Sequence, residues 1–144
     1  MATYTKYNIF VSDLMGKVHD LLGTAGSTAD VCKVMYSNTA PNASTHAVRA
    51  DVTEIAGGNG YTSGGASAAN VGTVTAGLYT MVCTDIVTTA TGAVATFRYV
   101  ILYNDTPTSP ADPLIAWWDY GSALTLANGE TFTVDFGAST FTLA

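Results

Sequence analysis

Residues 96–103, TFRYVILY, and 114–120, LIAWWDY, decide the fold class. The first is apolar at nearly every position, so neither an alternating strand nor an amphipathic helix accounts for it. A central strand buried on both faces does. The second is built the same way and lies beyond an Asn104-to-Pro113 stretch with three prolines and two aspartates, which reads as loop. Working outward, the period of two continues. Residues 130–136, ETFTVDF, place Phe132, Val134 and Phe136 on one face and Thr131, Thr133 and Asp135 on the other. Residues 140–143, TFTL, repeat the alternation after Gly137 and Ala138, which predicts a C-terminal hairpin.

Upstream, residues 30–36, 71–75 and 78–89 read as strands, and 122–127 as a short strand after a break at Gly121. Residues 47–56 fit either a short strand or a helical turn. Residues 4–22 form the best helix candidate, because Tyr7, Val11, Leu14, Val18 and Leu21 or Leu22 recur at three- and four-residue steps. Gly16 weakens that helix, and Gly23 and Gly26 end it. Eight or nine short strands with turn signals between them predict an all-β, antiparallel β-sandwich, jelly-roll-like, with a short N-terminal helix. At 144 residues a single domain spanning 1–144 is expected.

Composition narrows function. Charged residues are 11% of the chain, against about 25% in an average domain. Threonine occurs 23 times, so the surface must be rich in hydroxyls or covered by something else. The net charge is −6, and the five basic residues, Lys6, Lys17, Lys33, Arg49 and Arg98, are scattered. No basic stripe exists to displace counterions, so neither nucleic acid nor an anionic membrane is expected as a partner. No apolar run reaches the ~20 residues of a membrane span, and the N-terminus lacks the layout of a signal peptide. A soluble protein made in a cytoplasm is the expectation.

Chemistry is sparse. His19 lies among Lys17 and Asp20 on the helix candidate and reads as solvated; His46 falls in the polar loop after Pro41. Neither has a His or Cys at metal-ligand spacing, so no metal is expected. Cys32 and Cys83 are too few for a disulfide framework and read as small buried thiols. The 57–70 stretch, GGNGYTSGGASAAN, nearly matches a dinucleotide fingerprint, but its third glycine falls one position late and no strand–turn–helix surrounds it. No Lys follows Gly65, which excludes a phosphate loop, and Gly65 to Ala69 is only a degraded nucleophile elbow. A flexible or partner-ordered loop is expected there, with Tyr61 its one large side chain. The acids stand singly, without calcium-loop or glycosidase spacing. No cofactor and no enzymatic activity are expected.

The aromatic residues suggest binding instead. Trp117 and Trp118 are adjacent on a strand and so point to opposite faces, one able to fill the core while the other faces outward, unless both are covered. Exposed aromatic surface on a charge-poor chain suggests a protein interface, for which Tyr61, Trp117, Trp118 and Tyr120 are the candidates.

Taken in order, KYNIFVSDLMGKVHDL, DVCKVMYSNTAPNA, ADVTEIAGGNGYTSGG, FRYVILYND, PLIAWWDYGSALTLANGETFTVDF and the terminal FTLA cover most of the chain. Together they resemble the capsid cement, or decoration, proteins of short-tailed bacteriophages. That resemblance implies a β-sandwich, often dimeric, seated on the capsid exterior of the virion and bridging major capsid protein subunits. It also implies synthesis in the bacterial host cytoplasm, and it has no catalytic residues to carry over. A competing reading is a tail-associated or receptor-binding β-domain that recognises a host glycan through Trp117 or Trp118 with Asp119.

Overall fold

The computed structural model describes residues 2–22 and 29–144. Its strands are β1 (Thr3–Lys6), β2 (Cys32–Ser37), β3 (Ala66–Ala68), β4 (Asn70–Thr75), β5 (Leu78–Cys83), β6 (Ile86–Thr89), β7 (Phe97–Asn104), β8 (Leu114–Leu124), β9 (Thr131–Val134) and β10 (Phe141–Leu143). One short helix, α1 (Ile9–Met15), follows β1, and a 3₁₀ turn spans Arg49–Asp51. The fold is all-β, antiparallel and sandwich-like. A five-stranded sheet in the order β1-β8-β7-β2-β3 forms one layer. Two small sheets, β10-β5-β4 and β6-β9, form the other.

β7 is the middle strand of the large sheet, which explains its unbroken apolar run. Its Phe97, Val100 and Leu102 join Val34 and Tyr36 of β2 against Met81, Ile86, Val134 and Phe141 of the small sheets. Its Ile101 and Tyr103 face the other way, onto Met35, Trp117, Tyr7 and Val52. The second face is thus covered by chain outside the sheets, the segment after β1 and the 38–56 connection. A stack of rings ties the layers together: Tyr36 lies on Phe97 at 4.5 Å and on Tyr61 at 5.2 Å, with Phe132 edge-on to Phe97 at 5.0 Å. The Tyr36 hydroxyl bonds Thr88 Oγ1 of the opposite layer at 2.8 Å, which satisfies a polar group inside the core.

Four expectations need correction. The 4–22 helix is replaced by β1 and a seven-residue α1. Residues 3–6 pair with β8, Tyr4 opposite Trp118, and cross-strand contact outweighs helical periodicity there. Gly16 and Lys17 then stop α1: Val18 N–H donates to Asp13 O, Lys17 N–H donates to Leu14 O, and Lys17 takes φ 61°, a Schellman end. The buried face of α1 is Phe10 and Asp13, while Val11 is exposed.

Gly121 does not break a strand. β8 runs through it, and between the pairs Tyr99↔Asp119 and Phe97↔Leu124 two steps along β7 span five along β8. The surplus forms a bulge that Gly121 absorbs at φ 95°. The C-terminal hairpin is also absent. β9 pairs with β6 (Ile86↔Val134) and β10 with β5 (Phe141↔Met81). Asp85 Oδ1 accepts from Phe136 N–H, and Thr140 N–H donates to Met81 O, so the intervening turn hands the chain from one small sheet to the other. The alternation itself is as read, with Val134 and Phe136 buried and Thr131, Thr133 and Asp135 exposed. Finally, His19 is buried at 7% exposure rather than solvated.

Candidate interaction surface

β8 carries the two tryptophans onto opposite faces of the large sheet. Trp117, 8% exposed, packs into the second core with its ring 4.5 Å from Tyr7. Trp118 is half-buried on the sandwich side, edge-on to Tyr4 and to Phe136 at 5.5 Å each. Tyr120, 48% exposed, lies two residues on and meets Phe132 at 5.9 Å. Trp118 and Tyr120 with Val100, Phe132, Thr133 and Asp135 line an open cleft of about 450 Å³. Asp119 points to the other face, where Arg98 Nε and Nη2 donate to its two oxygens at 2.7 and 2.8 Å. Of the four aromatic candidates, Trp118 and Tyr120 present surface. Trp117 and Tyr61 belong to the core, because their rings complete packed clusters that nothing else fills.

Tyr61 is 5% exposed, stacked on Tyr36, and its hydroxyl donates to Glu54 Oε1 at 2.6 Å. The same carboxylate accepts from Gly64 N–H at 2.6 Å, Arg49 Nη2 at 2.8 Å and Ser63 Oγ at 3.3 Å. Tyr103 Oη closes the arrangement by donating to Gly64 O at 2.6 Å. Burial alone would raise the Glu54 carboxyl, but the bonds from Tyr61, Arg49 and Gly64 together hold it below its ordinary value. The Gly-rich stretch is therefore fastened by the chain's own Glu54, and part of it, β3, pairs with β2. The stretch expected to be flexible or partner-ordered is thus held by bonds from within the chain. Two of its glycines are steric necessities: a Cβ on Gly65 would sit 1.8 Å from Val34 O, and one on Gly60 would sit 2.1 Å from Thr89 O. Glu54 is one of several lone acids in the sequence, and no local pattern marks it.

The second feature without a local signal is the outer layer. β4, β5, β6, β9 and β10 contain no Asp, Glu, Lys or Arg. Their exposed positions are mostly threonine and valine, with Leu78 and Leu143: Val71 and Val87 are more than half exposed, and Thr73, Thr89, Thr131, Thr133 and Thr142 are exposed beside them. The strands of this layer are thus free of charge, and the charges lie on the large sheet, α1 and the connections, Asp85, Glu130 and Asp135 standing next to the ends of β6 and β9.

The two histidines are each held by hydrogen bonds. His46 sits in a turn, its Nδ1 accepting from Asn42 N–H at 3.3 Å. His19 Nδ1 accepts from Asn104 Nδ2 at 3.0 Å, and the same Nδ2 donates to Asp30 Oδ2 at 2.6 Å. Burial lowers the His19 imidazole to about 4, partly opposed by the negative charge of Asp30, so the ring is neutral near pH 7. Among the described residues no three His, Cys, Asp or Glu side chains cluster as metal ligands, and no helix is long and apolar enough to cross a membrane. No known protein family, curated protein or solved structure matches the chain.

Proposed function

We propose that this chain is a structural virion protein that binds the outside of a phage capsid and stabilises it by bridging major capsid protein subunits. The observation that supports this reading is the charge-free outer layer of β4, β5, β6, β9 and β10. Interface centres are depleted in charge, and a rigid face of valine and threonine docks with little loss of side-chain freedom. A clamp that binds only the assembled shell shifts the equilibrium toward assembly by mass action. Two-fold pairing of the protein would shield the ends of its small sheets, so a homodimer is part of the proposal.

The test is binding to empty shells and to free capsid subunits, with the natural chain and with Val87→Glu or Val71→Glu. Both valines are exposed, so the variants keep the melt of the parent. The natural chain should bind shells far better than subunits and raise their rupture temperature, and each charge should weaken shell binding roughly tenfold or more. Equal rupture temperatures with and without the protein, together with no shell binding, overturn the proposal.

The cleft beside Trp118 favours one other reading, recognition of a host glycan by a tail-associated domain. An exposed tyrosine and a half-buried indole flanked by Thr133 and Asp135 offer a ring platform with hydrogen-bonding groups at its edge. Electron cryo-microscopy of the virion separates the two: copies across the shell favour capsid binding, and a few copies at the tail favour the glycan reading.

A further inference from the structure

Beside β9 the outer layer stops short of the large sheet. β6 lies over β2, where Tyr36 bonds Thr88. β9 lies over β7 and β8, where Phe132 meets Phe97 at 5.0 Å and Tyr120 at 5.9 Å. The large sheet continues one strand further, to β1. Tyr4 of β1 pairs with Trp118 and so shares its face of the sheet, yet it is left 40% exposed. The open cleft lined by Trp118 and Tyr120 lies in the gap between this strip and β9.

The edge of β9 that borders the gap is unpaired. β9 has β6 on one side and no strand on the other. Ala90 N–H donates to Glu130 O at 2.8 Å, and with the register Thr88↔Phe132 and Ile86↔Val134 this makes the even-numbered residues of β9 the ones bonded to β6. The N–H and C=O groups of Thr131 and Thr133 therefore turn the other way, and among the described residues no backbone group meets them. They recur at every second residue, about 7 Å apart, the spacing of an extended polypeptide. Acids stand at both ends of the strand. Glu130 accepts from Ala127 N–H and Asp135 from Gly137 N–H, and among the described residues neither is in an ion pair. No Lys or Arg among those residues lines the cleft.

We propose that this gap is a strand-acceptor site, in which an extended segment of a partner polypeptide pairs with the free edge of β9 and completes the outer layer over Tyr4, Trp118 and Tyr120. The site dictates the chemistry of that segment. Bonds to the Thr131 and Thr133 backbone hold any extended chain, whatever its sequence. Alternate side chains of the segment point down onto the rings and are apolar, while those between them lie beside the exposed threonines and are small or hydroxyl-bearing. Lys or Arg at its ends meets Asp135 and Glu130, whose charges nothing in the cleft matches. A glycan stacked on the same rings has no need of the β9 backbone. The inference takes from the proposed function only that the partner is a protein, and it names the kind of segment that partner supplies.

The experiment selects a displayed library of random ten-residue peptides on the full chain, with counter-selection on Thr133→Pro. Proline there removes the N–H that faces the gap and leaves the bonds from Phe132 and Val134 to β6, so the variant keeps the fold. The selected peptides should alternate apolar with small residues and carry Lys or Arg at an end. They should shift tryptophan emission in the natural chain but not in Trp118→Phe, and slow amide exchange at Thr131 and Thr133. Thr133→Pro, or Glu in place of the peptide's bases, should each weaken binding about tenfold or more. N-methylation of the peptide tests the ladder on the natural chain, whether or not the proline variant folds. Methyl groups on the amides that face β9 should abolish binding, and methyl groups on the alternate amides should not. No peptide selected over the variant, or equal binding of both methylated forms, would overturn the proposal. So would pairing of the chain with itself through β9, seen as a mass that Thr133→Pro halves. Oligosaccharide binding that Thr133→Pro leaves unchanged, with no peptide selected, would assign the cleft to a glycan instead. Shell binding enters none of these outcomes, so this inference and the capsid proposal fail separately.

Discussion

Replacing Glu54 tests whether one carboxylate organises the Gly-rich stretch. Glu54→Ala removes the acceptor for Tyr61 Oη, Gly64 N–H, Arg49 Nη2 and Ser63 Oγ at once. The Glu54 side chain is 13% exposed and that of Arg49 32%, so Arg49 regains water and its share is small. Ser63 is exposed and its 3.3 Å bond is weak, so it adds little. The Tyr61 hydroxyl and Gly64 amide are left with less water, each at a cost of about 1–3 kcal/mol. The expected loss is about 3–5 kcal/mol, the range for breaking a largely buried charged network. Glu54→Gln keeps one carbonyl oxygen for Tyr61 and Gly64 but turns an amide toward Arg49, and about half that loss is expected. A urea melt measures both, and limited proteolysis should newly cut within residues 57–65. pH adds an independent check. Because the folded Glu54 lies below its ordinary value, its contribution is present above the unfolded pKa of 4.5 and is lost as pH falls through the lower, folded one. A loss under about 1 kcal/mol for Glu54→Ala, with no new cleavage, would refute the account.

Ile101→Ala should cost roughly 2–5 kcal/mol, because the side chain is fully buried among Tyr7, Met35 and Trp117 and little there can collapse into the space; a loss under about 0.5 kcal/mol in a denaturant melt would show the second core to be loosely packed. His19 should make the fold sensitive to mild acid. Its folded pKa of about 4 lies below the unfolded 6.5, so the unfolded chain takes up the proton first and stability falls as pH drops from 6.5 to 4, by about 3 kcal/mol at 1.36 per unit. His19→Gln should flatten that part of a stability–pH curve, and an unchanged slope would assign the acid sensitivity to other groups.

Strand content was legible in the sequence wherever burial is decided locally. The two-sided apolar run of β7 and the strict alternation through Phe132, Val134 and Phe136 each state which faces are covered, because a strand's side chains alternate by geometry alone. Charge scarcity was legible too, as a composition. What sequence could not carry is which strand meets which. The last two strands look like neighbours in a hairpin, yet pair with β6 and β5 because long-range contacts, not the Gly137–Ala138 signal, settle their register. The same limit governs the site residues. Tyr61 sits in a Gly-rich loop sequence and His19 between Lys17 and Asp20 on the helix candidate, and only the folded chain brings Tyr36 and Glu54 to the first and Phe10 and Asn104 to the second. Glu54 is indistinguishable from the other lone acids until its partners arrive from residues 49, 61, 63 and 64. Sequence alone thus determined the alphabet of faces, apolar, hydroxyl and nearly uncharged. Tertiary structure decided their assembly, gathering the charge-free strands into one layer and bringing Tyr61 and Gly64 to Glu54, because pairing between distant parts is a property of the whole packed chain.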